Sequence, residues 1–69
     1  MVKLPELTDR FARLCYDSAK SDAKIAEALG ASPLTVWKWR TGKAEPRAFY
    51  IMLICKYFNV SADWLLGID

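Results

Sequence analysis

The residue types that most often carry out chemistry in small proteins are sparse in this chain. It contains two cysteines, Cys15 and Cys55, and no histidine. The thiols do not form a CxxC pair, so a zinc site would need carboxylates or ligands from a partner. Both fall on apolar helical faces, where a free thiol behaves as a small hydrophobe, and we expect them in the core. Without a nucleophile–base pair or a glycine-rich phosphate loop, the sequence predicts no enzyme, no metal site, no cofactor and no small-molecule substrate.

Basic side chains are the other chemical resource of the chain. The formal net charge is +2 and the pI is near 8.7. This mild excess permits nucleic-acid binding but does not argue for it, because dedicated nucleic-acid-binding domains often exceed a pI of about 9. The placement of the charges therefore matters more than their sum.

The length indicates one small domain, residues 1–69. A chain of this size buries about 60% of its unfolded surface, which suffices for a core but hardly for an enclosed substrate pocket. The apolar segments are too short and too often interrupted by charge to cross a membrane, so we expect no membrane span. The start, Met1-Val2-Lys3-Leu4-Pro5, lacks the apolar stretch of a secretory signal, and we expect a cytoplasmic protein.

Five amphipathic segments with short connections predict an all-α fold. Pro5 suits a first helical position, and Ser21, Ser32 and Ser61 suit N-caps. Glycines follow three of the segments, where a helix ends in a left-handed residue. The predicted helices cover about residues 5–19, 22–29, 33–41, 47–58 and 62–66.

The second and third helices are joined by a very short turn, which is the pattern of a helix-turn-helix. Gly30 ends the second helix sharply, and Ser32-Pro33 begins the third. The small Ala26 suits the close contact between the helices, opposite Val36. Val36 and Trp39 face the core, which leaves the N-terminal outer side of the third helix free.

Several stretches share the order and spacing of a known family. They are Ile25-Ala26-Glu27-Ala28-Leu29-Gly30, Ser32-Pro33-x-Thr35-Val36-x-Lys38-Trp39, Gly42-Lys43-x-x-Pro46, and the closing run from Tyr57 to Gly67. Together they resemble the phage-repressor and Cro family, the lambda-repressor-like helix-turn-helix proteins, over residues 7–67. The resemblance implies a five-helix domain that binds double-stranded DNA and regulates transcription.

The resemblance also implies which side chains read bases. The third helix enters the major groove, and the base-reading positions fall on Pro33, Leu34, Thr35 and Lys38. Lys38 can donate to guanine, and Thr35 can bond either base type. Pro33 and Leu34 at best meet thymine methyl groups. We therefore expect modest specificity per base, or more reliance on DNA shape.

Backbone contacts should position the domain without selecting sequence. Asp22 occupies a position that commonly holds a phosphate-binding glutamine, so either it turns away as a helix-capping charge or that anchor is absent. Arg40 stands where the family often has an acid, and it either contacts phosphate or is structural. Trp37 is expected to be partly outward, either packed against helix 4 or the loop, or at the DNA backbone. The candidate phosphate contacts are Ser21, Ser32, Thr41, Lys43 and Arg47.

The fourth helix is apolar nearly all round. Ala48, Ile51, Ile54, Cys55 and Phe58 form an acceptable core face. A second apolar face contains Phe49, Leu53 and Tyr57, and such a face must be covered. Either helix 1 or the Val2–Leu4 arm covers it, or it is a homodimer or partner surface; we favour the interface.

The sequence thus predicts a DNA-binding repressor or Cro-like regulator, acting as a homodimer on a two-fold operator. The alternative is a helix-turn-helix protein-interaction module, or the N-terminal DNA-binding domain of a longer repressor, in which helix 4 binds a partner.

Overall fold

The computed structural model describes residues 4–69, and that part of the chain contains five helices and no strand. The all-α prediction is therefore confirmed. The helices are α1 (Pro5–Ser18), α2 (Asp22–Leu29), α3 (Pro33–Thr41), α4 (Ala48–Phe58) and α5 (Ala62–Leu66). None of the helices within residues 4–69 is long and apolar enough to cross a bilayer.

Local capping sets the helix ends. Ser21, Ser32 and Ser61 each accept a hydrogen bond from a backbone N–H in the first turn of the helix that follows. α1 ends at Ser18, one residue before the predicted end, because Ala19 has a left-handed backbone with φ of 58°. α4 begins at Ala48 rather than at residue 47, because Arg47 is extended at φ −73° and ψ 165°.

The core lies where α1, α2 and α3 converge, with one buried residue each from α4 and α5. α2 packs mainly on α3, and α3 also packs on α1. The ring of Phe11 meets Trp39 edge-on at 6.0 Å between centroids. The buried hydrophobic residues are Leu7, Phe11, Cys15, Ile25, Ala26, Leu29, Val36, Trp39, Ile54 and Leu65. α3 thus packs against α1 and α2 on its inner side and has its outer side exposed to solvent.

The prediction of which α4 residues face the core is only partly correct. Ile54 is fully buried, but Ile51, Cys55 and Phe58 are half-buried and Ala48 is exposed. α4 packs on α2 and α5, so its buried contacts spread over more than one side. Tertiary neighbours rather than helical periodicity decide this burial.

The second apolar face of α4 is divided as well. Leu53 and Tyr57 are half-buried against the core, whereas Phe49 is 61% exposed. Within the predicted Val2–Leu4 arm, Leu4 donates its backbone N–H to Glu45 Oε2 at 2.7 Å and leaves its side chain exposed. The remainder of that arm lies outside the described residues.

Candidate nucleic-acid interface

α3 is anchored on one side and open on the other. Val36 and Trp39 are buried, at 0% and 5% exposure, which fixes the orientation of the helix. The opposite side carries three of the four predicted base-contact residues in exposed positions, namely Pro33, Leu34 and Lys38. Pro33 and Leu34 lie in the first turn of α3 and Lys38 lies in its last turn, and all three residues are open to solvent.

Thr35, the fourth predicted base-contact residue, is half-buried and already engaged. Its backbone N–H donates to Ser32 Oγ at 3.1 Å, and the two hydroxyl oxygens are 2.8 Å apart. The Ser32–Thr35 pair therefore closes the N-terminus of α3 and holds the Thr35 hydroxyl at the helix start. The Thr35 hydroxyl therefore fixes the start of α3 and is not free to rotate toward another hydrogen-bond partner.

The exposed face of α3 is unusually apolar. Leu34 is 60% exposed and Trp37, one turn later, is 38% exposed. Trp37 is therefore partly outward, as the sequence predicts, and this exposure is compatible both with packing and with a contact to the DNA backbone. A surface built on these two side chains can make van der Waals contact with methyl groups, and Lys38 supplies the hydrogen-bond donor beside it.

All five predicted phosphate-contact residues are exposed: Ser21, Ser32, Thr41, Lys43 and Arg47. Thr41 Oγ1 donates to the carbonyl of Trp37 at 2.7 Å, so its proton is occupied within the helix. Within residues 4–69, neither Lys43 nor Arg47 forms an ion pair. These two cations are therefore the best placed of the five to neutralise phosphate.

Asp22 and Arg40, whose roles the sequence left open, form an ion pair. Arg40 Nε and Nη2 donate to the two carboxylate oxygens of Asp22 at 2.8 and 2.9 Å. The pair is bidentate and joins the first residue of α2 to the last turn of α3. The hydrogen bond that Arg40 donates to Asp22 raises the pKa of Arg40 above its ordinary value. Asp22 thus neither caps α2 alone nor stands unpaired, and Arg40 has a structural partner.

A shallow groove of about 860 Å³ lies beside this pair, between α1 and the start of α2. Cys15 is among its lining residues, and burial together with the nearby Asp22 raises the pKa of the Cys15 thiol to about 11. The thiol is therefore protonated at neutral pH and is a poor nucleophile. No group of three or more metal-binding side chains occurs among residues 4–69.

Charge is unevenly distributed along the chain. Residues 20–47, which contain α2, α3 and the adjoining loops, carry six basic and three acidic side chains, while the rest of the chain has a net charge of −1. The mild overall charge therefore hides a local excess of +3 on the helix-turn-helix. Local excess is the feature that attracts a polyanion.

Sequence reasoning missed the contacts that join residues distant in the chain. One is the Asp22–Arg40 pair; another is Lys20, whose Nζ donates to the hydroxyl of Tyr57 at 2.6 Å and lies 4.9 Å from the ring centroid. The two unusual charges at positions 22 and 40, opposite in sign, were a signal for the first. No comparable signal marked the second.

Comparisons with known proteins bear on the fold. No family model matches the chain, and no curated protein matches it. A solved structure, the P22 c2 repressor protein in complex with a synthetic operator, is similar to it with a TM-score of 0.83. The two chains share 20% sequence identity, and the alignment covers 99% of this chain and 100% of the other. The five-helix fold of residues 4–69 is thus shared with that solved structure.

Proposed function

We propose that this chain is a sequence-specific DNA-binding transcriptional regulator, a repressor or a Cro-like protein, that places α3 in the major groove. The observation that carries the proposal is the anchored α3, whose outer face is open and flanked by cations that form no ion pair within residues 4–69. This geometry occurs on a fold like that of the P22 c2 repressor, which was solved in complex with a synthetic operator. A helix held in this way is what major-groove binding requires.

Within this proposal, the base edges meet Pro33, Leu34, Thr35 and Lys38. Lys38 is the side chain able to donate to guanine O6 and N7, and Leu34 meets thymine methyl groups. Because Thr35 is bonded to Ser32, it contributes mainly by holding the helix start. Direct reading is therefore limited, and DNA shape supplies part of the specificity.

Backbone contacts are proposed for Ser21, Ser32, Thr41, Lys43 and Arg47. The two cations, Lys43 and Arg47, supply the electrostatic part, which is independent of sequence. The hydroxyls add orientation. Ser21 and Ser32 each accept a capping bond, which leaves the hydroxyl proton of Ser21 available to a phosphate oxygen.

A pair of lysine variants tests these roles. Duplexes selected from a random pool by the wild-type protein are compared with unselected duplexes in anisotropy titrations. Lys38→Ala should lower the ratio of the affinity for selected duplexes to the affinity for unselected duplexes. Lys43→Ala should lower both affinities about equally. The reverse pattern would show that α3 is not the reading helix.

We further propose that the regulator is a homodimer on a two-fold operator and that Phe49, Leu53 and Tyr57 contribute to its interface. Phe49 and Met52, at 61% and 46% exposure, are the most open apolar side chains of α4. Phe49→Glu or Leu53→Glu should yield a monomer in analytical ultracentrifugation. Tyr16→Glu, at an 86% exposed aromatic on α1, is the matched control and should leave the mass unchanged.

A second candidate function is favoured by the same exposed side chains. The open face of α4 would then bind another protein, with the chain acting as an interaction module or as the DNA-binding part of a longer repressor. A wild-type protein that is monomeric, and that stays monomeric on DNA, would favour this second function over the homodimer.

A further inference from the structure

The Asp22–Arg40 pair lies at the edge of the face that we propose for DNA. Asp22 is the first residue of α2, directly after Ser21, a proposed phosphate contact. In a helix-turn-helix the first helix approaches the DNA backbone, so charges at the start of that helix interact electrostatically with phosphates. Arg40 is in the last turn of α3, on the same edge.

We propose that Asp22 is a negative determinant of DNA affinity, which cancels the charge of Arg40 and so limits binding that is independent of sequence. This inference rests on the proposed DNA-binding function. It assigns to Asp22 the opposite role from that of a phosphate anchor at the same place. Arg40 is then withheld from the phosphates rather than offered to them.

The geometry supports cancellation. Both carboxylate oxygens of Asp22 accept from the guanidinium, at 2.8 and 2.9 Å, so the cation has a fixed counterion within the protein. The two side chains are 36% and 26% exposed, for Arg40 and Asp22 respectively, so an approaching phosphate senses both charges together. A phosphate about 8 to 10 Å away, within the screening length, therefore meets a nearly neutral pair.

The surroundings of the pair do not alter this balance. The adjoining groove is lined by Asp9 and Asp17 together with Arg13 and Lys20, equal numbers of acids and bases. By contrast, Lys38, Lys43 and Arg47 make no ion pair among the described residues. The positive surface of the helix-turn-helix therefore lies toward α3 and the loop after it, and the Asp22 edge is neutral.

The experiment measures affinity for unselected duplex DNA as a function of salt concentration. The variants are Asp22→Asn, Arg40→Gln and the double variant, with Asp63→Asn as control. Asp63 is an exposed acid in the first turn of α5, which packs mainly on α1 and α4, so its replacement changes the net charge equally but on a different helix. Thermal unfolding by circular dichroism establishes that each variant is folded at the assay temperature.

Asp22→Asn should bind more tightly than wild type, and its plot of log affinity against log salt should be steeper by about 0.9, as expected for one added phosphate contact. Its advantage should shrink roughly 3.5-fold between 50 and 200 mM salt. Arg40→Gln should bind more weakly because Asp22 is then unpaired. The double variant and Asp63→Asn should resemble wild type.

An Asp22→Asn protein that binds no better than wild type, or no better than Asp63→Asn, would overturn the inference. Weaker binding by Asp22→Asn would show that Asp22 positions Arg40 for a phosphate instead. If Arg40→Gln does not fold, the comparison of Asp22→Asn with Asp63→Asn still decides. Absence of wild-type binding at low salt would refute the proposed function as well, whereas wild-type binding without the expected gain refutes this inference alone.

Discussion

The contact between α2 and α3 determines the orientation of α3, the helix that we propose reads DNA. Ala26 is a small, buried residue of α2 at this contact. Ala26 is 1% exposed and belongs to the same buried cluster as Val36, which is 0% exposed. Ala26→Leu would force three additional carbon atoms into this closed contact. Overpacking of this kind costs about 1 to 3 kcal/mol. For a domain of this size, a loss of about 2 kcal/mol lowers the Tm by roughly 8 to 16 °C.

Ala28→Leu is the matched control for this substitution. Ala28 lies on the same helix but is exposed, so the added side chain has solvent to occupy. Its effect should remain within about 0.5 kcal/mol. Circular dichroism melts of the three proteins measure the difference directly.

Ala26→Leu should also weaken DNA binding at a temperature where all three proteins are folded, because α3 must move away from α2. Ala28→Leu should bind as wild type does. Equal Tm values for the two variants would refute the claim that the helix-turn-helix angle depends on a small side chain at position 26. A destabilised Ala26→Leu that binds DNA normally would refute the link between that angle and recognition.

Two further predictions concern stability. Gly67→Ala should lower the free energy of unfolding in urea more than Gly30→Ala does. Both glycines have positive φ, but an added Cβ at Gly67 would lie 2.6 Å from Glu6 Cβ, whereas no atom lies within 4 Å of an added Cβ at Gly30. Equal losses of unfolding free energy would contradict this. Burial raises the pKa of Cys15 from 9.0 to about 11, so the folded state favours the protonated thiol. The resulting contribution to stability is fully present below pH 9 and is lost as the pH rises through 11. The urea midpoint of wild type should therefore fall further than that of Cys15→Ala between about pH 8 and about pH 10.5; parallel falls would contradict the assignment.

The helix-turn-helix could be predicted from the sequence because its determinants are local. Ser21 and Ser32 cap the helices that directly follow them, and Gly30 ends α2 with φ of 70°. Each of these signals acts within four residues, so the bounds of α2 and α3 agree with the prediction. The ends of α1 and α4 shifted by one residue, because Ala19 and Arg47 carry no such marker.

The less predictable features depend on the angles between helices. The partner of Asp22 is 18 residues away, and only the packing of α3 on α2 brings Arg40 to it. Burial along α4 was predicted wrongly for the same reason: Ala48 has the right period for the core, yet it is exposed. Leu53 and Tyr57 are half-buried because the neighbours of α4 occupy more than one side.

Salt-dependent binding of the wild-type protein to duplex DNA tests the central claim most directly. Three cations on the proposed face, Lys38, Lys43 and Arg47, are exposed and unpaired within residues 4–69. If Lys43 and Arg47 each neutralise one phosphate while Lys38 contacts bases, log affinity should fall with log salt with a slope of about −1.8 per protomer. Fluorescence anisotropy with a labelled duplex between about 50 and 200 mM salt covers the range in which this loss is large. A slope near this value supports a DNA-binding face built on α3; absence of binding at low salt, or a slope near zero, would contradict it.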